Sequence, residues 1–416
     1  MGHVSERLKQ IAPSATLAIS EKVAELRAAG KHVHDLGLGE ADYPTPEVVT
    51  RGLHKVEASG VSRYTEVQGT KELREAVSKA LATCFHMPPP SKNSRVHTCG
   101  NDPTYDPDEV IVSAGSKFLL YSAVLATCDQ DDEVILLAPY WVSYPDLVRL
   151  AGARPVVVQS TREEGFIPPI ERIARAVNDR TRLIFVNSPA NPTGQVWSQG
   201  QLKALSDLVL SHDDLYLVSD EIYGLIVFGK NMHYSPASFS EEMRRRTILT
   251  SGLSKAYSMG GWRIGFAAVA DEQIRAAMLR IAANTISSVP SVTQDASVHA
   301  FKAWKRVAKM RADFERRAAV MDRRLNGMGL NALAPKGAFY VFADVSSLFG
   351  AAVNGRSLQS AGDVSMAILE EANVASVAGE EFGNDSHIRL AFVRPVPELE
   401  RACDALEAFV SRFRNR

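Results

Sequence analysis

The chain has 416 residues, and at roughly 150 residues per domain that length predicts two or three domains. Hydrophobic residues make up 45% and charged residues 23%, proportions that sustain a large core and exclude a mainly disordered chain. Lys plus Arg number 47 against 48 for Asp plus Glu, and the resulting net charge of −1 lacks the basic excess of a nucleic-acid binder.

The first twenty residues, MGHVSERLKQIAPSATLAIS, hold no apolar run of signal-peptide length. No stretch of about eighteen apolar residues occurs anywhere, so a soluble, cytoplasmic protein without a membrane partner is expected. Residues 87–108, rich in Pro, Ser, Asn and Asp, predict a surface loop. Short apolar runs then alternate with amphipathic stretches. Strands are predicted at 109–113, 134–138, 155–158, 183–187, 215–219, 248–251 and 264–269, with helices at 117–127, 199–210 and 273–283. Near-continuous apolar strands followed by helices argue a mainly parallel sheet covered on both faces. Past residue 300 a charged helix at 302–325 leads to strands at 338–344 and 387–392, elements of a smaller α+β unit. The domains are read as a large one over 49–300 and a small discontinuous one from 1–48 and 301–416. The cysteines, Cys84, Cys99, Cys128 and Cys403, are scattered and predict reduced thiols and no metal site.

The sharpest chemical signal is TSGLSKAYSMGGWRIGF at 250–266, where a strand ends in a Ser/Gly-rich turn holding Lys255, with Arg263 beyond it. Lysine forms Schiff bases best where burial or a nearby cation suppresses its charge, and Arg263 offers both that cation and a fork for a phosphate. A lone lysine at a loop end is ordinarily solvated; these surroundings weigh against that here. NSPANPTG at 187–194 follows a strand, at the sheet edge where open α/β folds hold ligands. Asn191, ahead of Pro192, can turn its amide to a ligand or satisfy its own backbone. SDEIY at 219–223 sets Asp220 at the end of an apolar strand. A carboxylate there needs a partner such as a protonated ring nitrogen, or else caps a helix. In SAGSKF at 113–118, Gly115 and Ser116 open a helix whose free N–H groups suit an anion. Lys117 sits in that helix's first turn, where the dipole disfavours a cation unless an anion is bound. Gly37-Leu38-Gly39 is a mere fragment of a dinucleotide fingerprint, with Asp42 where a glycine belongs, and no such site is expected.

Together with PSAT at 13–16, APYWVSYP at 138–145 and HIRLAF at 387–392, the chain resembles the class I aminotransferases, fold type I enzymes that use pyridoxal 5′-phosphate (PLP). The resemblance spans nearly the whole chain. It implies an α/β PLP-dependent transferase fold with a mainly parallel seven-stranded sheet plus a small α+β domain, active as a homodimer. It also implies a small-molecule amino acid and a 2-oxo acid as substrates. By resemblance, Lys255 is the Schiff-base lysine and proton carrier, and Asp220 pairs with the pyridine nitrogen. Tyr223 and Asn191 hydrogen-bond the phenolic oxygen, and Trp141 stacks on the ring. The phosphate falls to Gly115, Ser116, Lys117, Ser254 and Arg263, with Tyr64 reaching across from the partner subunit. Arg389 clamps the substrate α-carboxylate, while Gly39, Trp141 and Asn191 border the substrate.

The chain departs from the family pattern at two places. Gly252 stands where many members have a phosphate-binding Ser, leaving Ser251 or Ser254 to substitute. Residues 281–295 contain no Arg or Lys, so the partner-chain Arg of the animal and enteric aspartate enzymes has no counterpart. Another branch reads the distal carboxylate with its PSAT segment and the Lys after the glycine turn, here Ser14, Thr16 and Lys117. The resemblance therefore implies transfer from aspartate to 2-oxoglutarate. Aromatic, prephenate or kynurenine amino donors, or a C–S lyase on the same fold, are the alternatives.

Overall fold

The structure, a computed structural model, describes residues 5–9, 11, 15–60, 62–82 and 104–413. After the helix α1 (Ala15–Ala28), the apolar runs fold as β1 (Val110–Ala114), β2 (Glu133–Leu137), β3 (Arg154–Val158), β4 (Thr181–Asn187), β5 (Tyr216–Asp220), β6 (Thr247–Gly252) and β7 (Ile264–Val269). They form one seven-stranded sheet in the order β1-β7-β6-β5-β4-β2-β3. β7 runs antiparallel to both its neighbours, and the other pairings are parallel.

The near-continuous apolar character of these strands follows from helices on both faces. Val134 and Leu136 of β2 pack with Leu119, Leu120 and Val124 of α2 (Ser116–Thr127). Their neighbour Ile135 points the other way, onto Leu202, Leu205 and Val209 of the helix Gln199–Leu210. Each face therefore needs its own apolar set, and all residues of β2, β6 and β7 are buried.

The second region starts at α3 (Trp304–Gly327) and adds the antiparallel sheet β9-β10-β8, made of β8 (Tyr340–Asp344), β9 (Val377–Ala378) and β10 (His387–Ala391). The two-residue strand His34–Asp35 pairs in parallel with Val374–Ala375, which builds the N-terminal segment into the C-terminal part.

The helix expected at 302–325 runs over Trp304–Gly327, and the strands expected to end at 138, 219 and 392 end at Leu137, Asp220 and Ala391. Three further expectations need correction. The strand expected from residue 338 begins at Tyr340, because Ala338 holds a left-handed φ of 57° that no strand accommodates. The strand expected from residue 109 begins at Val110, because Pro107–Glu109 forms a short helical turn capped by Asp106. The predicted loop at 87–108 is not all surface. Its residues 87–103, with Cys99, and also Cys84, lie outside the described residues, but Tyr105 is buried. Cys128 and Cys403 are free and buried. Among the described residues, no helix is long and apolar enough to cross a membrane.

Candidate active site

The register of the large sheet brings Asn187, Asp220 and Thr250 side by side at the C-terminal ends of β4, β5 and β6. A cavity of about 460 Å³ opens over this edge, within the range of small-molecule sites. Its wall includes Gly39, Ser116, Trp141, Asn191, Asp220, Tyr223, Lys255 and Arg389, residues far apart in the chain.

Asp220 is 4% exposed and has no cation at ion-pair distance among the described residues. The Tyr144 hydroxyl donates to its Oδ2 at 2.7 Å and the Ile222 N–H to its Oδ1 at 3.3 Å. Burial nevertheless pushes the carboxyl up to about 6. No helix begins here, so Asp220 is not a cap; it is a buried acid that a cationic partner would stabilise. Its neighbour Glu221 is off the cavity wall, satisfied by the Ser219 and Ser235 hydroxyls at 2.8 and 2.7 Å and by His233 at 2.9 Å.

The Lys255 Nζ donates to the Gly39 carbonyl at 2.7 Å and lies 5.9 Å from the centre of the Tyr223 ring. The Tyr223 hydroxyl meets that of Tyr340 at 2.9 Å, and burial raises its pKa well above the usual phenol range. A Cβ on Gly39 would collide with the Tyr340 hydroxyl, so glycine is needed for this close approach.

Arg389, 6% exposed, donates from Nη1 to the Asn191 Oδ1 at 3.1 Å and from Nη2 to the Gly37 carbonyl at 2.6 Å. Its guanidinium lies 4.6 Å from the Tyr340 ring centre, and its buried Nε–H has no partner among the described residues. Burial lowers its pKa, and among the described residues no carboxylate pairs with it. A buried guanidinium held by neutral acceptors, with one donor unused, is prepared for an anion. The Asn191 amide is less free than its place before Pro192 suggested. Its oxygen serves Arg389 and its backbone N–H donates to the Asn187 Oδ1 at 2.8 Å, which leaves Nδ2 to face a ligand.

At the opposite end, Gly115 takes φ 88° ahead of α2, and a Cβ there would strike the Arg263 guanidinium. The Lys117 Nζ lies 4.9 Å from the centre of the Trp141 ring. Neither Arg263 nor Lys117 has a carboxylate at ion-pair distance among the described residues, although both gather at a helix N-terminus. Arg263, Lys117, Ser254 and Tyr64 are not on the cavity wall, and Tyr64 is 95% exposed. Thr16 stands in the first turn of α1, and Ser14 lies outside the described residues.

Sequence reasoning did not single out Asn187, Tyr340, Gly37, Arg27 or Asp35, all on the wall, nor Tyr144 beneath Asp220. For Asn187, Tyr144 and Tyr340 a signal existed, since they stand inside segments already marked, NSPANPTG, APYWVSYP and the strand at 338–344.

The protein-family model for aminotransferase class I and II matches residues 31–406. The aspartate aminotransferase of Geobacillus stearothermophilus is 37% identical over 409 residues, 98% of each chain. The aspartate/prephenate aminotransferase of Cereibacter sphaeroides is 35% identical over 412 residues, 98% of this chain and 99% of that one. Among solved structures, the aspartate aminotransferase from Thermus thermophilus with maleate superposes with a TM-score of 0.87 at 35% identity, covering 98% of this chain and 100% of that one.

Proposed function

The chain belongs to the class I and II aminotransferases, and from that premise we propose that it moves the amino group of aspartate to 2-oxoglutarate through PLP carried by Lys255. One observation carries the reading. A primary amine and, among the described residues, a buried carboxylate without a cation and a buried guanidinium without an anion line a single cavity: Lys255, Asp220 and Arg389.

These groups fit PLP. Asp220 would keep the pyridine nitrogen protonated, which also answers its own burial. Tyr223 and the Asn191 Nδ2 would hold the phenolic oxygen, and Trp141 one ring face. Gly115, Ser116, Lys117, Ser254 and Arg263 would take the phosphate at the start of α2. Bound there, PLP supplies an electron sink for the charge left at the substrate Cα.

Arg389 would grip the substrate α-carboxylate with its fork and give its idle Nε–H a partner. That grip fixes the Cα relative to Lys255, whose Nζ would accept the Cα proton and later return it. Lys117, Ser14 and Thr16 would meet the distal carboxylate. The small domain, 1–48 with 301–416, would close over the large one. The active unit would be a homodimer, with the exposed Tyr64 of each chain reaching the other's phosphate. A second reading, aromatic amino donors, is favoured by the apolar side of the cavity, formed by Ile19, Val23, Leu38 and Val377.

The test is single-turnover absorbance of the PLP-loaded protein. Aspartate alone is expected to change the cofactor spectrum and release oxaloacetate, and 2-oxoglutarate to restore the spectrum. No spectral change at millimolar aspartate would overturn the substrate assignment.

A further inference from the structure

The buried Glu221 has no part in the account above, yet it adjoins Asp220 in the chain. Its backbone is fixed, the N–H donating to the Thr250 carbonyl at 2.8 Å and the carbonyl accepting the Gly224 N–H at 2.9 Å. The Ser219 and Ser235 hydroxyls donate to its Oε1, and Nε2 of the buried His233 meets its Oε2. Among the described residues, no lysine or arginine stands at ion-pair distance from this carboxylate. The buried Tyr105 feels the Glu221 charge, but Arg244 over the Tyr105 ring is committed to Glu109 and Glu241. The His233 Nδ1 is buried and has no partner among the described residues. A proton there would be a buried donor without an acceptor. The geometry therefore puts the ring proton on Nε2, which leaves His233 neutral and the Glu221 charge whole.

The cavity on the other side of Asp220 carries cations, since Lys255 and Arg389 line its wall. Their field works against a proton on a ring nitrogen bound between them. We propose that Glu221 is a positioning residue that acts through Asp220, its unneutralised charge offsetting the cavity cations and keeping the PLP ring nitrogen protonated. This rests on the PLP reading above. Three neutral donors hold the charge without cancelling it, as a lysine or arginine in place of His233 would. At Asp220 burial does most to raise the carboxyl, and the Tyr144 and Ile222 hydrogen bonds oppose it. The Glu221 charge adds to the rise, against the pull of Lys255. Tyr144 and Tyr223 are the other titratable groups facing Asp220.

The test uses the full-length protein and two titrations. In the cofactor-free chain, infrared absorbance of isotopically labelled aspartate carboxyls follows Asp220, with Asp220→Asn identifying its band. Glu221→Gln is expected to move the Asp220 midpoint about one pH unit lower. His233→Gln, which removes no charge, is expected to leave it in place. In the PLP-loaded protein, the pH midpoint of the cofactor absorbance is expected to fall in Glu221→Gln and to hold in His233→Gln. An unchanged Asp220 midpoint in Glu221→Gln would overturn the proposal. So would a rise in His233→Gln, the sign of a lost cation. Should Glu221→Gln fail to fold, labelled glutamate carboxyls in the wild-type protein decide: a protonated glutamate band at about pH 7 contradicts the ionised Glu221, and its absence supports it. Failure of the wild-type protein to take up PLP would instead overturn the proposed function, and the Asp220 titration would still decide the role of Glu221.

Discussion

Asp220 at the floor of the cavity is 4% exposed and fixed by Tyr144 and the Ile222 N–H, whereas Arg27 on the cavity wall is half-exposed and, among the described residues, held by a 3.4 Å contact to Asp35. The floor stands on strand ends of a sheet buried on both faces, so its groups keep their geometry through dense packing. The mouth is built from α1 and the Gly37-Leu38-Gly39 turn, where Leu38 is 48% exposed. Rigid, desolvated groups suit steps common to every amino acid. Loosely held groups suit choosing among side chains, because their rearrangement costs little.

Substitutions can break or sharpen that contrast. Lys255→Ala should have the largest effect, lowering transamination at least about 10⁴-fold for every amino donor, as steady-state rates would show. Arg389→Lys should lower kcat/KM about a hundredfold, equally for aspartate and phenylalanine, because a lysine cannot reproduce the fork that both α-carboxylates need. A loss confined to aspartate would place selectivity at the floor and end the division of labour.

The electrostatics of the floor are testable without cofactor. The Asp220 carboxyl sits at about 6 in the fold, above its ordinary 3.8, so between these values the folded chain binds more protons than the unfolded one. Stability of the cofactor-free protein should therefore fall by about 2–3 kcal/mol as pH rises from about 4 to about 6, and no further from this group above that. Denaturant midpoints across that window should show a flatter profile in Asp220→Asn; the same slope in both proteins would contradict the assignment. Tyr340→Phe should have the smallest effect. It removes one buried hydrogen bond to Tyr223 and should lower kcat by up to about tenfold, with KM for aspartate little changed.

Much of the floor was legible in the sequence because its residues end apolar runs. Alternate side chains of each run serve different helix layers, which makes the strand and its terminus visible locally, as at Asp220 after LYLVS. Pairings across the chain were not legible. Tyr340 meets Tyr223 across 117 residues, and Arg389 takes the Asn191 oxygen across 198. Neither periodicity nor turn chemistry encodes such contacts. Arg27 lies on a helix with charged residues around it, and on sequence alone it reads as solvated. The late start of β8 was hidden too, because an alanine gives no sign of a left-handed conformation.

The most direct measurement follows nitrogen itself. PLP-loaded protein would be mixed with isotopically nitrogen-labelled aspartate and unlabelled 2-oxoglutarate, and the products analysed by mass spectrometry. The account predicts label in glutamate, with oxaloacetate formed in equal amount and turnover dependent on 2-oxoglutarate. Label released as ammonia without any 2-oxoglutarate requirement, or label retained in aspartate, would contradict it.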